Sequence, residues 1–232
     1  GGKGINVSRS LQRLGVPTVA TGFLGGPSGE CIKQALGQER IAYQFIPIRG
    51  EARTSLTVIE TSTGKFTRIL EEGPKVSRKE LTQFRQTFAA MLKNVSHVVF
   101  SGRNVPGAGH GFYAQLIRMA RRAGKKTVLD TSGPAFAAGL KARPSLIKPN
   151  RAEAEEILGY QLGTRANLKR GLQSFRRRGI ETVIISLGPE GGGAANTKEV
   201  WCVIPPPIKA VNTVGCGDAL LGGFLYAQSQ NL

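Results

Sequence analysis

Short apolar runs alternate with helix-patterned segments along most of this chain, and this order constrains its fold more than any other feature. Strand-like runs occur at Val95–Ser101, Lys126–Asp130 and Thr182–Leu187, and the segments between them carry apolar residues at helical spacing. Repeated strand, loop and helix order is typical of a parallel sheet covered by helices, whose strands are nearly continuous apolar runs. The sequence therefore predicts an α/β fold with a mostly parallel central sheet.

The same criteria predict the remaining regular elements, apart from one region that breaks the rhythm. Two extended runs, Thr54–Glu60 and Lys65–Leu70, flank Thr61-Ser62-Thr63-Gly64, and this arrangement is typical of a β-hairpin. We therefore expect a small β appendage on the α/β body. Helices are predicted at 5–14, 30–36, 80–92, 112–123, 152–158 and 166–178, and further strands at 19–24, 43–48, 146–148 and 200–204.

Length and composition limit the class of protein. A chain of 232 residues with 40% apolar content is sufficient for one large domain or for one domain with a small appendage, and no apolar run approaches the ~20 residues that cross a membrane. Three widely spaced cysteines, Cys31, Cys202 and Cys216, have no metal-binding spacing and fit a reducing compartment. We therefore expect a cytoplasmic protein.

The net charge of +17 suits anionic partners, such as phosphorylated metabolites, nucleic acid or acidic lipid. The basic residues are dispersed along the chain, with two clusters on predicted helices at 118–126 and 169–178. Phe175 is the one aromatic residue in these clusters, so aromatic residues do not alternate with the cations, and known nucleic-acid-binding motifs are absent. We therefore expect solvated helix faces and do not expect nucleic acid as the main partner.

Polar and glycine-containing loops follow several predicted strands. Ligands of open α/β sheets bind beyond the carboxyl ends of the strands, so loops that meet at this edge can form one site. Five such loops are Ser101-Gly102-Arg103, Asp130-Thr131-Ser132-Gly133, Lys148-Pro149-Asn150, Ser186-Leu187-Gly188 and 215–218.

The segment 212–222, Asn-Thr-Val-Gly-Cys-Gly-Asp-Ala-Leu-Leu-Gly, indicates the chemistry of that site. An apolar helical pattern follows its glycines, so Asp218 is placed where a helix begins. A helix start has unpaired N–H groups and a partial positive charge, and both favour anions. An anion cradle beside an acid that can accept a proton suggests phosphoryl transfer to a hydroxyl. A helix cap is the alternative role for Asp218.

Common phosphate-binding motifs are absent from the sequence. There is no G-x-x-x-x-G-K-[ST] and no strand-linked G-x-G-x-x-G, so P-loop and dinucleotide folds are disfavoured. The opening residues, Gly1-Gly2-Lys3-Gly4-Ile5-Asn6-Val7, allow close approach to a ligand and supply a positive charge. An ordinary loop before a helix would have the same pattern.

Four ordered motifs resemble the PfkB, or ribokinase-like, family of sugar kinases. GGKGINVSRSLQRLG and TVGCGDALLGG are similar to the two family signatures, and KPNRAEAEEILG and SLGPEGG to its nucleotide-side motifs. GGKG, Lys-Pro-Asn, Thr-Val-Gly and VIPPPIK look like the hexose-phosphate kinase branch. Members of that branch use ATP to phosphorylate fructose 1-phosphate, fructose 6-phosphate or tagatose 6-phosphate. The resemblance implies a ribokinase-like three-layer α/β/α fold with a β lid over about 43–70.

The resemblance also implies roles for individual residues. Asp218 matches the catalytic base, and the backbone of Gly215, Cys216 and Gly217 matches the anion hole for the moving phosphoryl group. Glu153 matches an acid linked to Mg²⁺ through water, although an N-capped helix with surface acids would have the same pattern. The positions that match the ATP side are Lys148, Asn150, Ser186, Gly188, Pro189, Glu190 and Gly191.

The sugar side is matched by residues from the start of the chain and from the hairpin. Gly2, Lys3, Gly4 and Asn6 match the sugar-binding signature. Arg53 matches a residue that grips the substrate's phosphate, for which a bidentate guanidinium is suited, although an exposed edge-strand arginine is the other interpretation. The hairpin resembles the family's lid, which covers the sugar and pairs with a second subunit, so the resemblance implies a homodimer.

The chain departs from the family pattern at two residues. Arg103 replaces a serine and either adds a phosphate contact or blocks the usual sugar pose, and Cys216 stands where alanine is common. The chain begins at the first signature and ends soon after the catalytic helix, so the resemblance implies a single kinase domain over 1–232, truncated at both ends. A homologue that binds sugar phosphate or nucleotide without turnover is the alternative function.

Overall fold

The computed structural model of the chain describes residues 2–60, 66–208 and 212–230, without the side chains of Phe66 and Arg68. Its strands are β1 (Val19–Leu24), β2 (Ala42–Pro47), β3 (Ser55–Ile59), β4 (Phe66–Leu70), β5 (His97–Ser101), β6 (Lys126–Asp130), β7 (Leu146–Ile147), β8 (Thr182–Ser186), β9 (Gly192–Ala195) and β10 (Val200–Val203). Its helices are α1 (Lys3–Arg13), α2 (Gly26–Gln38), α3 (Arg78–Met91), α4 (Phe112–Arg122), α5 (Gly133–Leu140), α6 (Arg151–Leu158), α7 (Arg165–Arg177) and α8 (Cys216–Ser229).

The main sheet has six strands in the order β10-β9-β8-β7-β6-β5. β5 to β8 are parallel, and β9 and β10 continue the sheet in antiparallel pairs. Parallel strands need a crossover connection, and helices supply it after β5, β6 and β7. The mostly parallel central sheet that the sequence predicts is therefore confirmed.

Alternate residues of the central strands face two helical layers, as the two-residue period of a strand requires. Val128, Leu146 and Ile184 pack in one buried cluster with residues of α1 and α8. Leu129 and Ile147 point to the opposite face, where a larger cluster includes residues of α3 to α7. The sheet is therefore buried on both faces, which gives the three-layer α/β/α architecture. None of the helices that the structure describes is long and apolar enough to cross a membrane.

Two small sheets accompany the main one. β1 and β2 form a parallel pair, and Ala20 of β1 is buried with Leu36 of α2. β3 and β4 form an antiparallel hairpin in which Leu56 is opposite Ile69. The strands of the predicted hairpin are therefore present, and its predicted turn at 61–64 lies outside the described residues. The strand predicted at 43–48 pairs with β1 in a separate sheet.

The structure contains two elements that the sequence pattern does not indicate. α5 contains two glycines, a proline and apolar residues on all sides, so its sequence has no amphipathic period. β9 reads Gly-Gly-Ala-Ala, and none of these residues favours a strand. Its register is set by antiparallel pairing with β8 and β10, and a Cβ at Gly193 would be 2.9 Å from Leu172 Cδ1. Tertiary pairing, and not local propensity, makes this segment a strand.

Helices α1 and α8, from opposite ends of the sequence, pack together on one face of the sheet. Val7 and Leu11 of α1 are buried in the same cluster as Leu221 of α8. The contact is closest at Gly222, where a Cβ would be 2.6 Å from Ser10 Cβ. A glycine at this position lets the two backbones approach, and the approach places the first turns of both helices side by side.

We expect Gly222→Ala to destabilise the fold, because overpacking a close contact typically costs about 1–3 kcal/mol. Gly223→Ala is the matched control, since no atom lies within 4 Å of a Cβ built there. Replacing a helical glycine by alanine in open space stabilises by up to about 1 kcal/mol. Urea unfolding of both variants measures the free energies, and equal effects at the two positions would contradict the close-packing interpretation.

Candidate active site

The loops after β5, β6, β7 and β8 meet the first turns of α1 and α8 at one edge of the main sheet. The Gly102 amide donates to Asp130 O at 3.0 Å, which joins the ends of β5 and β6. The Lys148 ammonium lies 3.3 Å from the position of a Cβ at Gly217, so the loop after β7 touches α8. A side chain at position 217 would crowd this ammonium. The convergence of the polar loops at one edge is therefore present.

The Asp130 carboxylate, at the end of β6, is the charged centre of this edge. Asp130 is 1% exposed, and its Oδ1 lies 3.0 Å from Lys3 Nζ and 3.4 Å from Lys148 Nζ. Ser101 Oγ donates to Oδ2 at 3.4 Å. A buried carboxylate needs such partners, so Asp130 fixes both ammonium groups near one point. The Lys3 side chain is 41% exposed and that of Lys148 4%, so Lys3 is the more accessible to a ligand.

Asp218 is held at the start of α8 by a side chain of α1. It is the third residue of α8 and is buried, and Asn6 Nδ2 donates to its Oδ2 at 2.8 Å. No hydrogen bond among the described residues involves its Oδ1. One carboxylate oxygen is therefore oriented by Asn6, and the other is available to accept a proton.

The surroundings of Asp218 adjust its affinity for protons. Burial raises the pKa of Asp218 above its ordinary value, and the charge of Asp130 acts in the same direction. The Asn6 hydrogen bond and the charges of Lys3 and Lys148 lower the pKa and so offset part of this rise. A raised pKa makes the carboxylate a stronger general base than an exposed aspartate.

The backbone that leads into α8 presents free N–H groups beside this carboxylate. Gly215 precedes the helix at a φ of +86°, a left-handed conformation that favours glycine. In the part of the chain that the structure describes, the Gly215 and Gly217 amides donate no hydrogen bond, whereas the Cys216 amide donates to Thr213 O at 3.3 Å. Two of the three predicted anion-hole amides are therefore free to bind an anion at the positive end of the helix.

The predicted nucleotide side is built from two neighbouring loops. Ser186 forms a parallel bridge with Asn150, and its amide donates to Pro149 O at 3.1 Å. These contacts place Ser186 beside the segment that carries Lys148, whose buried ammonium faces Asp130. The two loops therefore form one continuous surface.

A short 3-10 turn, Gly188–Glu190, continues this surface. Its proline, Pro189, lies at the turn's second position, and the Gly191 amide closes the turn by donating to Gly188 O at 3.1 Å. The Glu190 carboxylate forms an ion pair with Arg151 at 2.6 Å. A Cβ at Gly191 would be 2.0 Å from Val203 O, so the close packing of this residue against β10 requires a glycine.

Asn150 and Glu153 form a capping box at the start of α6. The backbone N–H of Glu153 donates to Asn150 Oδ1, and the backbone N–H of Asn150 donates to Glu153 Oε2, both at 2.9 Å. Burial raises the pKa of Glu153, whereas the hydrogen bond from Asn150 and the charges of Lys3 and Lys148 lower it. The capping role that the sequence left open is therefore present. It occupies one oxygen of Glu153, and Oε1 has no hydrogen bond among the described residues.

Arg53 lies between the end of β2 and the start of the hairpin. Its Cδ is 3.7 Å from the position of a Cβ at Gly73, and the residue is exposed. Burial raises the pKa of the Tyr113 hydroxyl to about 12, with the charge of Asp130 acting in the same direction and that of Arg53 against it. The Tyr113 hydroxyl donates to Gly102 O at 3.3 Å.

The remaining predicted sugar-side residues lie at the same edge. Gly2 caps α1, and a Cβ at Gly4 would be 3.7 Å from Ser101 O, so the start of α1 lies against the end of β5. Arg103 follows Gly102 and is exposed, and no hydrogen bond or ion pair of the described residues involves it. The structure therefore gives Arg103 a position near the site without a fixed partner.

The sequence pattern places Asp130 in a polar loop without indicating a role for it, and it gives no indication of Tyr113. An acid at the carboxyl end of an apolar strand was the available signal for Asp130, because such a buried acid requires cationic partners. Tyr113 carries no comparable signal, since its position on the buried face of α4 suits an ordinary core residue.

Sequence comparison places the whole chain among carbohydrate kinases. The sequence profile of the pfkB family of carbohydrate kinases matches residues 1–232. A tagatose-6-phosphate kinase of Staphylococcus epidermidis is 35% identical over 227 residues, which are 97% of this chain and 73% of that protein.

Solved structures support the same fold. Phosphofructokinase-2 from Escherichia coli, in its tetrameric inhibited form, superposes with a TM-score of 0.91 at 28% identity, over 100% of this chain and 76% of that one. A possible 1-phosphofructokinase from Thermotoga maritima superposes with a TM-score of 0.87 at 27% identity, over 99% and 73% of the two chains. These similarities confirm the ribokinase-like α/β fold and the hexose-phosphate kinase branch.

We expect Asn6→Ala to raise the pKa of Asp218 further, because the variant removes a hydrogen bond that favours the charged carboxylate. Titration of the ¹³C-labelled carboxyl group by NMR measures the change. Asn104→Ala is the control, since Asn104 donates to Gly109 O in a different loop. An Asp218 pKa that stays constant or falls in Asn6→Ala would show that the hydrogen bond has no electrostatic role.

Proposed function

Because the chain belongs to the pfkB family of carbohydrate kinases, we propose that it transfers the γ-phosphoryl group of ATP to a ketohexose monophosphate and so forms a ketohexose bisphosphate. The observation that carries this proposal is the buried Asp218 at the start of α8, beside free amides and two lysines. Fructose 1-phosphate is our first candidate, and fructose 6-phosphate and tagatose 6-phosphate are the others. The relatives include a tagatose-6-phosphate kinase, a possible 1-phosphofructokinase, and a phosphofructokinase-2 whose structure was solved in complex with fructose-6-phosphate.

The proton acceptor in the proposed reaction is Asp218. Its free Oδ1 accepts the proton of the sugar hydroxyl. At the same time the hydroxyl oxygen of the sugar forms a bond to the γ-phosphorus, and the bond between the γ-phosphorus and the leaving ADP oxygen breaks. Asn6 holds the carboxylate in place through the other oxygen. The raised pKa suits this role, since a general base works best with a pKa near the working pH.

Backbone amides and a lysine would stabilise the negative charge of the transferred phosphoryl group. The free amides of Gly215 and Gly217 lie at the N-terminus of α8, and the Lys148 ammonium lies against Gly217. Phosphoryl transfer has a loose transition state whose charge is spread over the equatorial oxygens, so positioned donors give most of the stabilisation. Because Asp130 fixes Lys148, this donor is already in place before substrates bind.

Magnesium is the metal that we propose, together with ATP as co-substrate. Mg²⁺ in phosphoryl-transfer sites is usually bound by one or two carboxylates, water and substrate phosphates. Glu153 fits this donor set, because it keeps one free carboxylate oxygen beside the charges of Lys3 and Lys148. The ion would supply charge neutralisation at the nucleotide phosphates. On the protein side, Lys148, Asn150 and Ser186–Gly191 would bind the nucleotide.

The sugar phosphate would lie on the opposite side of Asp130. Lys3 has a partly exposed side chain there, Arg53 is an exposed residue, and Arg103 follows the end of β5. Together with Gly2, Gly4 and Asn6 these residues form our proposed sugar site. A substrate that already carries a phosphate suits this surplus of cations, since arginine binds phosphate oxygens in a bidentate way.

The hairpin is the proposed lid, and its exposed face is the proposed dimer contact. Leu56, Val58 and Ile69 point to the same side of the hairpin and are each at least half exposed. An apolar surface of this kind is typical of an interaction site. Closure of the lid over the sugar would exclude water from the transferred group.

Cys31, Cys202 and Cys216 are free thiols, which supports our proposed cytoplasmic location.

A homologue that binds without turnover is the alternative function. The exposed Arg103, which stands where the family has serine, is the observation in its favour. The oriented Asp218 and the free amides argue for turnover, because binding alone would not need a general base.

An assay of ADP release with each of the three sugar phosphates tests the proposed reaction. We expect turnover with at least one of them and little with unphosphorylated fructose. Asp218→Asn should lower kcat by about 10²–10⁴-fold while ATP still binds, because the variant loses only the proton acceptor. Sugar-phosphate binding without turnover in the unaltered protein would favour the alternative, and full activity of Asp218→Asn would remove its assigned role.

Arg53→Ala should raise the KM for the sugar phosphate by roughly 10- to 100-fold, because hydrogen bonds to charged groups contribute about 1.5–3 kcal/mol. The KM for ATP is the internal control and should remain within a factor of about two. Steady-state kinetics at saturating concentrations of the other substrate separates the two constants. Equal increases in both would show that Arg53 acts through the fold and not through the substrate's phosphate.

A further inference from the structure

The positive charge of this chain is concentrated at the edge of the sheet opposite the site. The parallel strands β5 to β8 begin at this edge, so it lies roughly 16 Å, the length of a five-residue strand, from the carboxyl ends. The segments that form it are 92–97, 121–126, 141–145 and 176–182, which together contain ten lysine and arginine residues and one acid, Glu181. We call these four segments the basic edge. Its surplus of nine charges is more than half of the net charge of +17.

Contacts between the four segments make the basic edge one continuous surface. Arg121 Nη1 donates to Ala142 O at 2.9 Å, and the side chain of Arg143 packs against Gly179. Lys126 forms an ion pair with Glu181 at 2.7 Å. Two clusters that are about 50 residues apart in sequence therefore lie side by side. Glu181 neutralises one cation of this surface, and the others have no acidic partner among the described ion pairs.

Several of these cations are free to bind a partner. Arg122, Arg143 and Arg177 are exposed, and no ion pair of the described residues involves them. Arg121 and Arg176 instead donate to backbone carbonyls and so serve the fold. Burial, and after it the charge of Lys126, lowers the pKa of His97, so this residue adds no positive charge near neutral pH. The binding charge of the edge is therefore mainly that of arginine and lysine.

We propose that the basic edge binds the phosphate backbone of double-stranded nucleic acid, independently of the kinase site. Arginine suits phosphate because its guanidinium makes bidentate hydrogen bonds. Backbone contacts need no aromatic residues, and the four segments contain no Phe, Tyr or Trp for stacking on single-stranded bases. The absence of aromatic residues, which argues against base recognition, is compatible with this mode.

The composition of the edge also favours a duplex over an anionic membrane. Peripheral membrane surfaces combine cations with exposed apolar side chains that enter the lipid. The large apolar residues that the structure shows as exposed lie elsewhere, such as Leu56, Ile204 and Ile208. A surface of cations without apolar anchors makes contacts that are electrostatic and independent of sequence, and their strength falls steeply with salt.

Fluorescence anisotropy of a labelled random-sequence DNA duplex of about 24 base pairs, between about 50 and about 300 mM NaCl, tests the proposal. The protein should bind with a dissociation constant that rises steeply with salt, and saturating ATP with Mg²⁺ should not displace the duplex. Displacement by ATP would place the duplex in the kinase site and overturn the proposal.

Matched variants separate the basic edge from general charge. Arg122→Gln with Arg177→Gln should weaken duplex binding at least about tenfold and reduce the slope of log Kd against log salt by about two. Arg78→Gln with Lys79→Gln removes the same charge from the exposed N-terminal end of α3, whereas the C-terminal end of α3 leads into the basic edge. This control pair should have little effect. Equal losses from both pairs would overturn the proposal. Thermal unfolding of each variant shows that it is folded.

Two other polyanions complete the test. Vesicles that contain about 30% phosphatidylserine should bind more weakly than the duplex at equal salt, because the edge lacks apolar anchors. Polyglutamate should also bind more weakly, because a carboxylate polymer does not present the phosphate oxygens that arginine binds in pairs. Vesicle or polyglutamate binding as tight as duplex binding would overturn the proposal.

Discussion

The pairing of the buried Asp130 carboxylate with two lysines is the interaction on which the rest of the site depends. Asp130 is almost fully buried at the end of β6, and its charge is stable there only because Lys3 and Lys148 lie beside it. Lys3 begins α1, and Lys148 follows β7, so one carboxylate fixes both the proposed sugar side and the proposed nucleotide side. The same three charges also act on Asp218 and Glu153, and they set the balance of their pKa values.

The packing of α1 against α8 is the second requirement of the site. Asn6 and Asp218 are separated by 212 residues, and their 2.8 Å hydrogen bond exists because Gly222 lets the two helices approach. The proposed base and the amides of the proposed anion hole therefore come from one end of the sequence, and Asn6, which orients Asp218, comes from the other. A substitution that moved α8 along α1 would change the orientation of Asp218 without altering any residue of the site.

Much of the fold could be predicted from the sequence, and so could the polar loops that meet at the candidate site, because the signals for them are local. The alternation of strand and helix patterns predicts the parallel sheet, and the segment 212–222 predicts an acid at a helix start. Strand β9 could not be predicted, since Gly-Gly-Ala-Ala becomes a strand only between β8 and β10. The capping role of Glu153 and its proposed role at a metal have the same sequence pattern, so the sequence could not distinguish them.

The sequence by itself determined which chemical groups this protein carries, namely an acid at a helix start, glycine loops after apolar strands, and a large surplus of positive charge. The tertiary structure decided which of these groups meet. It paired Asp130 with lysines 127 residues before it and 18 residues after it, and it joined two basic clusters at the opposite edge. Local patterns cannot show such pairings, because they follow from strand order and helix packing. Both depend on contacts between segments that are distant in the sequence.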